Sequence, residues 1–263
     1  MLILTEKPSV AKDFAKALGC NFSSADKCFK SADGSIFITN CVGHLFELNE
    51  PAAYNPEFKS WKKLPVIPEQ FHYHVSPELK DAARIVVGLL KNHKNDEILI
   101  ATDADREGEI IARECLKAVG ISDTSRIKRF WVSQALTPAV IKGGISEAKA
   151  LGNYDLLSEQ GFARQHSDWL VGINGTRFIT NKAGTLFPVG RVQTAVLSAI
   201  SDRCLAIKNF VPEKYYEIFG EFNPPNGTKI KGIYVGSNGN TKLTDSSLAS
   251  ELKRYLSSPV KCL

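Results

Sequence analysis

The chain has 263 residues, 43% of them apolar and 23% charged, and a net charge of +5. That composition supports a substantial core and suits one long or two ordinary domains. No apolar run approaches the length of a membrane span, and residues 1–4 meet Glu6 and Lys7 too early for a secretory leader. The six cysteines (20, 28, 41, 115, 204 and 262) include no CxxC pair. That argues for reduced thiols in a cytoplasmic setting and against a zinc site. There is no G-x-x-x-x-G-K-[ST] loop, so ATP has no obvious seat.

In chain order, residues 2–5 (LILT) predict a short buried strand. Glu6 and Lys7 follow, and Pro8 suits the first position of a helix that Gly19 would stop. An acid and a base thus meet at a helix N-terminus, a ready site for phosphate. Residues 26–40 predict a hairpin turning at 32–34, followed by VGHLFEL at 42–48. The stretch 49–71 is Pro-rich and too long for an ordinary connector. A strand at 72–75 and a helix from Ser76 or Pro77 to about residue 91 come next. His72 and His74 read as strand residues rather than metal ligands.

Residues 98–114 (ILIATDADREGEIIARE) are the centre of the chain. An apolar run ends in carboxylates at every second position: Asp103, Asp105, Glu107 and Glu109. A helix follows, with Ile110, Ile111, Cys115 and Leu116 on one face. This places the acids at the carboxyl end of a strand, where open α/β sheets hold ligands. Extended backbone points residues i and i+2 the same way, so Asp103, Asp105 and Glu107 are expected to converge on one cation. Crowded hard oxygens point to Mg²⁺, completed by water and substrate phosphate. If 2–5 and 97–101 are parallel neighbours, Glu6 and Lys7 join them, offering proton movement and charge neutralisation for phosphoryl transfer.

Two blander readings compete. Acids at a helix start complement its dipole, worth ~0.3–1 kcal/mol each. Asp103, Asp105, Gly108 and Glu114 also fit a calcium loop, but Glu107 stands where Asp or Asn is usual, residues 96–102 read as strand rather than helix, and no second loop exists.

A strand is predicted at 127–132 and a short helix from Thr137-Pro138, ended by Gly143-Gly144. Residues 154–182 form one long helical segment carrying Arg164, Asp168, Trp169 and Arg177; Arg164 and Asp168 stand at i and i+4. After the break at 184–188, Gly190 opens a helix with the stripe Val192, Val196, Ile200 and Ile207. Its first turn leaves Arg191, Gln193 and Thr194 free to reach phosphates. From residue 214 the period changes to two, giving a strand pair around residues 223–227 in which Tyr215 and Tyr216 read as packed strand residues. A helix from about 246 to 256 follows, N-capped by Asp245, and 260–263 resemble the start of another strand. Residues 122–214 hold 12 Lys/Arg against 7 Asp/Glu, which is the whole +5, so nucleic acid is the natural partner of this segment.

These motifs resemble the type IA DNA topoisomerases, most closely the topoisomerase III branch. LTEKPSVAK and TDADREGE are similar to the two halves of that family's Toprim metal site. VGHLFEL, YNPEFKSWKKLPVIP, FWVSQALTP, DWLVGINGTR and VGRVQT match its further signatures in order, from residue 1 to about 215. The last two blocks separate it from primases and nucleases that share the acidic loop. The resemblance implies an α/β Toprim domain (Rossmann-like, mainly parallel sheet) at 1–150, a helical single-stranded-DNA-binding segment at 151–213, and the beginning of a β-rich gate at 214–263. It implies cleavage and rejoining of single-stranded DNA through a phosphotyrosine, with Mg²⁺ and without ATP.

Residue by residue, the resemblance gives Glu6 proton transfer at the scissile phosphate and Lys7 charge stabilisation. Asp103, Asp105 and Glu107 would hold Mg²⁺; Arg164, Asp168, Arg191, Gln193 and Thr194 would line the DNA groove. A helicase is an optional further partner, and no membrane is. The family's nucleophile sits in a Tyr-x-Arg context, which none of the seven tyrosines here has. The chain therefore reads as an N-terminal portion without the nucleophilic tyrosine. A Toprim nuclease or primase, and a binding-only single-stranded-DNA module, are the alternatives.

Overall fold

The computed structural model describes residues 1–223 and 227–257, and the chain divides into two compact units, Met1–Ala195 and Val196–Leu263. The strand expected at 260–263 lies outside the described residues, as does part of the turn near residue 225.

The first unit opens with β1 (Leu2–Thr5), every residue of which is buried, and α1 (Pro8–Leu18). Pro8 takes the first helical turn and Gly19 closes the helix in the left-handed region at φ 68°. β2 (Asn21–Ser23), β3 (Cys28–Lys30) and β4 (Phe37–Asn40) run antiparallel, β3 and β4 being the expected hairpin. β5 (Phe46–Leu48) pairs with β6 (Tyr73–Val75) in a separate ribbon; between them lies the Pro-rich stretch, with the single turn α2 (Pro51–Tyr54) and a 3₁₀ turn. α3 (Lys80–Asn92), β7 (Ile98–Ala101), α4 (Arg106–Ala118), β8 (Ile127–Arg129), α5 (Pro138–Ser146) and β9 (Lys149–Ala150) follow. α6 (Asp155–Ala183) comes after them, and α7 (Arg191–Lys208) begins in this unit and continues into the second.

The main sheet has the order β2-β3-β4-β1-β7-β8-β9. Its four central strands, β4, β1, β7 and β8, are parallel. Alternation along β1 fills two cores: Leu2 and Leu4 join Ile98, Ile100, Leu90 and Ile111 on one face, and Ile3 joins Ile38, Leu99, Phe14 and Ile141 on the other. α1 and α5 cover the second face, α3 and α4 the first, and α6 packs on α4. That last contact is close because Gly161 lacks a Cβ, which would collide with Ile110.

Several boundaries differ from expectation, and β8 ends at Arg129, three residues short of the strand expected at 127–132. α3 starts at Lys80, four residues late, because Ser76 and Leu79 form a turn first. α5 runs through Gly143 and Gly144, since Gly144 sits against Phe130 and Val132 where a Cβ would clash. The Pro-rich stretch is held to α6: Asn174 bonds both the N–H and the carbonyl of Val66 at 2.7 and 2.9 Å, and Phe71 stacks on His166 with centroids 3.9 Å apart.

The second unit contains the antiparallel pair β10 (Phe219–Phe222) and β11 (Ile230–Ile233), and α8 (Ser246–Leu256). Asp245 caps α8 as expected, accepting from the N–H of Ser247 and Leu248. Tyr215 and Tyr216 precede β10 instead of belonging to it; Tyr216 makes one bridge to Leu243, and Tyr215 is exposed. The apolar stripe of α7, Val192, Val196, Ile200 and Ile207, is exposed throughout.

Candidate metal and nucleic-acid site

β1 and β7 are parallel neighbours, with Leu2 opposite Ile98 and Thr5 opposite Ala101. The turn after β1 and the acidic loop after β7 therefore leave the sheet side by side. Glu6 Oε2 accepts from the N–H of Asp103 at 3.1 Å. Lys7 Nζ donates to Asp103 Oδ2 at 2.6 Å and lies 3.5 Å from Glu6 Oε1. The bond to Asp103, with the charge of Glu6, raises the Lys7 pKa and keeps its ammonium charged. Glu6, Lys7 and Asp103 are thus brought together as expected.

The other two acids diverge. The helix starts earlier than an extended reading assumes, so the i, i+2 alternation stops at the loop. Asp105 is the N-cap of α4, its Oδ1 accepting from Gly108 N at 2.7 Å, and Glu107 lies in the first turn. Glu107 faces His44, with Nε2 3.5 Å from Oε2. Among the described residues, no three His, Cys, Asp or Glu side chains stand together as a metal ligand set. The donor chemistry fits a hard divalent cation all the same: Glu6, Asp103, Asp105 and Glu107 present only carboxylate oxygens, and the Lys7 ammonium already lies against two of them. The fourth acid of the series, Glu109, is fully buried and structural.

Beneath the loop lies Arg129, also fully buried. Its Nε bonds Glu109 Oε2 at 2.9 Å, Nη1 bonds the carbonyls of Thr102 and Phe130 at 2.8 and 2.9 Å, and Nη2 bonds the Asp103 carbonyl at 2.6 Å. Burial lowers the Arg129 pKa, and Glu109 opposes that shift. Arg113 holds the other oxygen of Glu109 at 2.9 Å. The guanidinium is a planar fork that fixes the backbone of the acidic loop from the sheet side. Gly108 completes the fit, because a Cβ there would strike the Asp103 backbone. Sequence reasoning missed Arg129; the available signal was an arginine at an inward position between Ile127 and Phe130. The calcium reading loses its ligands here, since residues 98–101 are strand and Glu114 is buried against His44 and Gln165.

On α6, Arg164 Nε lies 3.6 Å from Asp168 Oδ2, and Arg191 Nη1 lies 3.0 Å from Asp168 Oδ1. Arg191 is therefore paired rather than free, and Thr194 Oγ1 accepts from Gly190 N at 3.1 Å, committing it partly to the start of α7. Gln193 is exposed and packs its Cβ near Gly190. A cleft of about 510 Å³ is lined by His44, Glu107, Arg164, Gln165, Asp168 and Trp169, among others. Glu107 at the start of α4 and the Arg164–Asp168 face of α6 thus open into one space, while Asp103 and Asp105 line a separate pocket with Val10, Phe130 and Gln134.

A mainly parallel, three-layer α/β sheet with an acidic loop at its carboxyl edge defines the class, and the comparisons agree. The family model described as Toprim domain matches residues 1–135, and the one described as DNA topoisomerase matches 153–261. DNA topoisomerase 3 of Shouchella clausii is 38% identical over 218 residues, covering 82% of this chain and 29% of that protein. DNA topoisomerase 3 of Staphylococcus epidermidis is 39% identical over 220 residues, covering 82% and 30%. Full-length topoisomerase I from Thermotoga maritima superposes with a TM-score of 0.62 at 22% identity, over 96% of this chain and 37% of its own, a likeness of fold. The chain belongs to the type IA DNA topoisomerase family. It spans about 30% of the length of these curated relatives. No helix among the described residues is long and apolar enough to cross a membrane.

Proposed function

We propose that this chain is the Toprim and DNA-holding portion of a type IA topoisomerase that cleaves and rejoins single-stranded DNA with Mg²⁺ and without ATP. The observation that carries it is the single cleft shared by Glu107 and by Arg164 and Asp168, beside the Glu6–Lys7–Asp103 cluster. The proposed division is 1–150 for the Toprim domain, 151–213 for the helical DNA-binding segment and 214–263 for the beginning of the β-rich gate.

Lys7 neutralises charge on the scissile phosphate, and Glu6, which is nearly buried, moves a proton at its oxygen. Asp103, with Asp105 and Glu107 turned from the α4 cap and from His44 toward it, would hold Mg²⁺, which when bound would supply positive charge to the phosphate. Arg164 and Arg191, oriented by Asp168, fix the strand's phosphates, with Gln193 and Thr194 as further donors at the start of α7. Trp169 on the same helix offers a stacking face. The phosphotyrosine step needs a tyrosine in the family's context, and these residues hold none, so this chain binds the strand without attacking it.

The test is direct: incubate the chain with end-labelled single strands and Mg²⁺, denature, and look for label that migrates with protein. Binding without an adduct supports the proposal. A covalent adduct that survives denaturation places the nucleophile inside these residues and refutes it. Metal-dependent cleavage without attachment favours the nuclease alternative.

A further inference from the structure

The wall of the cleft between the acidic loop and α6 is a hydrogen-bonded run of side chains that the proposed chemistry does not use. His44 is at its centre. Its Nδ1 lies 3.0 Å from Glu114 Oε2 and its Nε2 lies 3.5 Å from Glu107 Oε2. The Glu114 side chain is only 1% exposed, a placement that is costly for a carboxylate unless both oxygens are engaged. They are: Oε1 accepts from Gln165 Nε2 at 2.8 Å. Gln165 Oε1 in turn accepts from the Tyr73 hydroxyl at 2.8 Å. Each link fixes the next, so the imidazole is aimed at Glu107 by a chain anchored on α6. Gln165 adjoins Arg164 and precedes Asp168 by less than one turn, on the helix that faces the cleft.

We propose that His44 is a positioning residue that ties Glu107 to α6 through Glu114 and Gln165, so that Mg²⁺ at the acidic loop and single-stranded DNA along α6 strengthen each other's binding. The inference rests on the reading of the site given above. A strand that orders Arg164 and Asp168 also orders Gln165, and with it the carboxylate offered to the cation. The coupling is reciprocal by thermodynamic necessity.

The experiment measures anisotropy of a labelled single-stranded oligonucleotide with the 263-residue chain, in saturating Mg²⁺ and in chelator. The proteins are the unaltered chain, His44→Ala and His44→Gln. The unaltered chain is expected to gain about fivefold or more in affinity with Mg²⁺, the low end of ordinary coupling. His44→Ala should keep its affinity in chelator within about twofold and lose the gain, while His44→Gln, which retains a donor, recovers part of it. An undiminished Mg²⁺ gain in His44→Ala overturns the inference and leaves the reading of the site standing. So does a fall in affinity under both conditions together with a lowered melting temperature, which makes His44 a structural residue only. Absence of any gain in the unaltered chain overturns the inference, and the metal reading falls with it when calorimetry also finds no Mg²⁺ bound.

Discussion

Replacing Arg129 with Met should unlock the acidic loop. The guanidinium is fully buried and supplies Glu109, Thr102, Asp103 and Phe130 with bonds of 2.6–2.9 Å. Methionine fills much of the volume and supplies none of them. Breaking one partner out of a buried ion pair costs about 3–5 kcal/mol, because the other charge stays behind. Here Arg113 still holds Glu109 Oε1, which pulls the cost down, while the stranded carbonyls push it up by about 1–3 kcal/mol each unless water reaches them. The expectation is therefore about 3–5 kcal/mol, a fall in thermal midpoint on the order of 6–20 °C. Removing Glu109 as well, as Glu109→Met, should restore at least about 1 kcal/mol, since the half-paired buried carboxylate goes while Arg113 keeps Asp155 and the Leu151 carbonyl. Circular dichroism of the thermal transition reads both variants, and Trp131, whose ring lies 4.9 Å from the guanidinium, reports the local change by fluorescence. A loss below about 1 kcal/mol for Arg129→Met, or a double variant as unstable as the sum of the singles, would refute the reasoning.

Replacing Asp103 and Asp105 together with Asn should abolish any Mg²⁺-induced rise in melting temperature, and tight Ca²⁺ binding that excludes Mg²⁺ would instead revive the calcium loop. Arg191→Ala should weaken single-strand binding about equally across sequences and reduce the slope of log K against log salt by about 0.7, because it contacts phosphate; a sequence-dependent loss would contradict that role. His44 has a pKa raised above 6.5, chiefly by its bond to Glu114. A raised folded value means that the stabilisation is complete below pH 6.5 and is lost as pH rises through the folded value. The melting temperature of the unaltered chain should accordingly decline over that rise more than that of His44→Gln; superimposable profiles would show that the imidazole charge contributes nothing.

The strand, acidic loop and helix at 98–118 were legible because an apolar run and the helical spacing of Ile110, Ile111, Cys115 and Leu116 are local signals. The meeting of Glu6 and Lys7 with Asp103 was legible too, since it follows from two parallel strands of equal reach. The direction of Glu107 was not. Alternation holds only in extended backbone, and the capping bond of Asp105 turns the chain into α4 two residues earlier than the pattern assumes. His44 with Glu114, and Arg129 with Glu109, stayed hidden for a different reason. Their partners lie 70 and 20 residues away, and a charge in a helix or strand carries no mark of being buried. The pairing of Arg191 with Asp168 is likewise a long-range contact between two helices whose polar faces look solvated when read alone.

The measurement that tests the central claim most directly is the affinity of this chain for a labelled oligonucleotide presented as a single strand and as the matching duplex, titrated at several salt concentrations with Mg²⁺ present. The cleft beside Arg164, Asp168 and Trp169, next to the acidic loop, predicts preferential binding of the single strand, with log K falling linearly in log salt. Equal affinity for the two forms, or single-strand binding indifferent to salt, would contradict it.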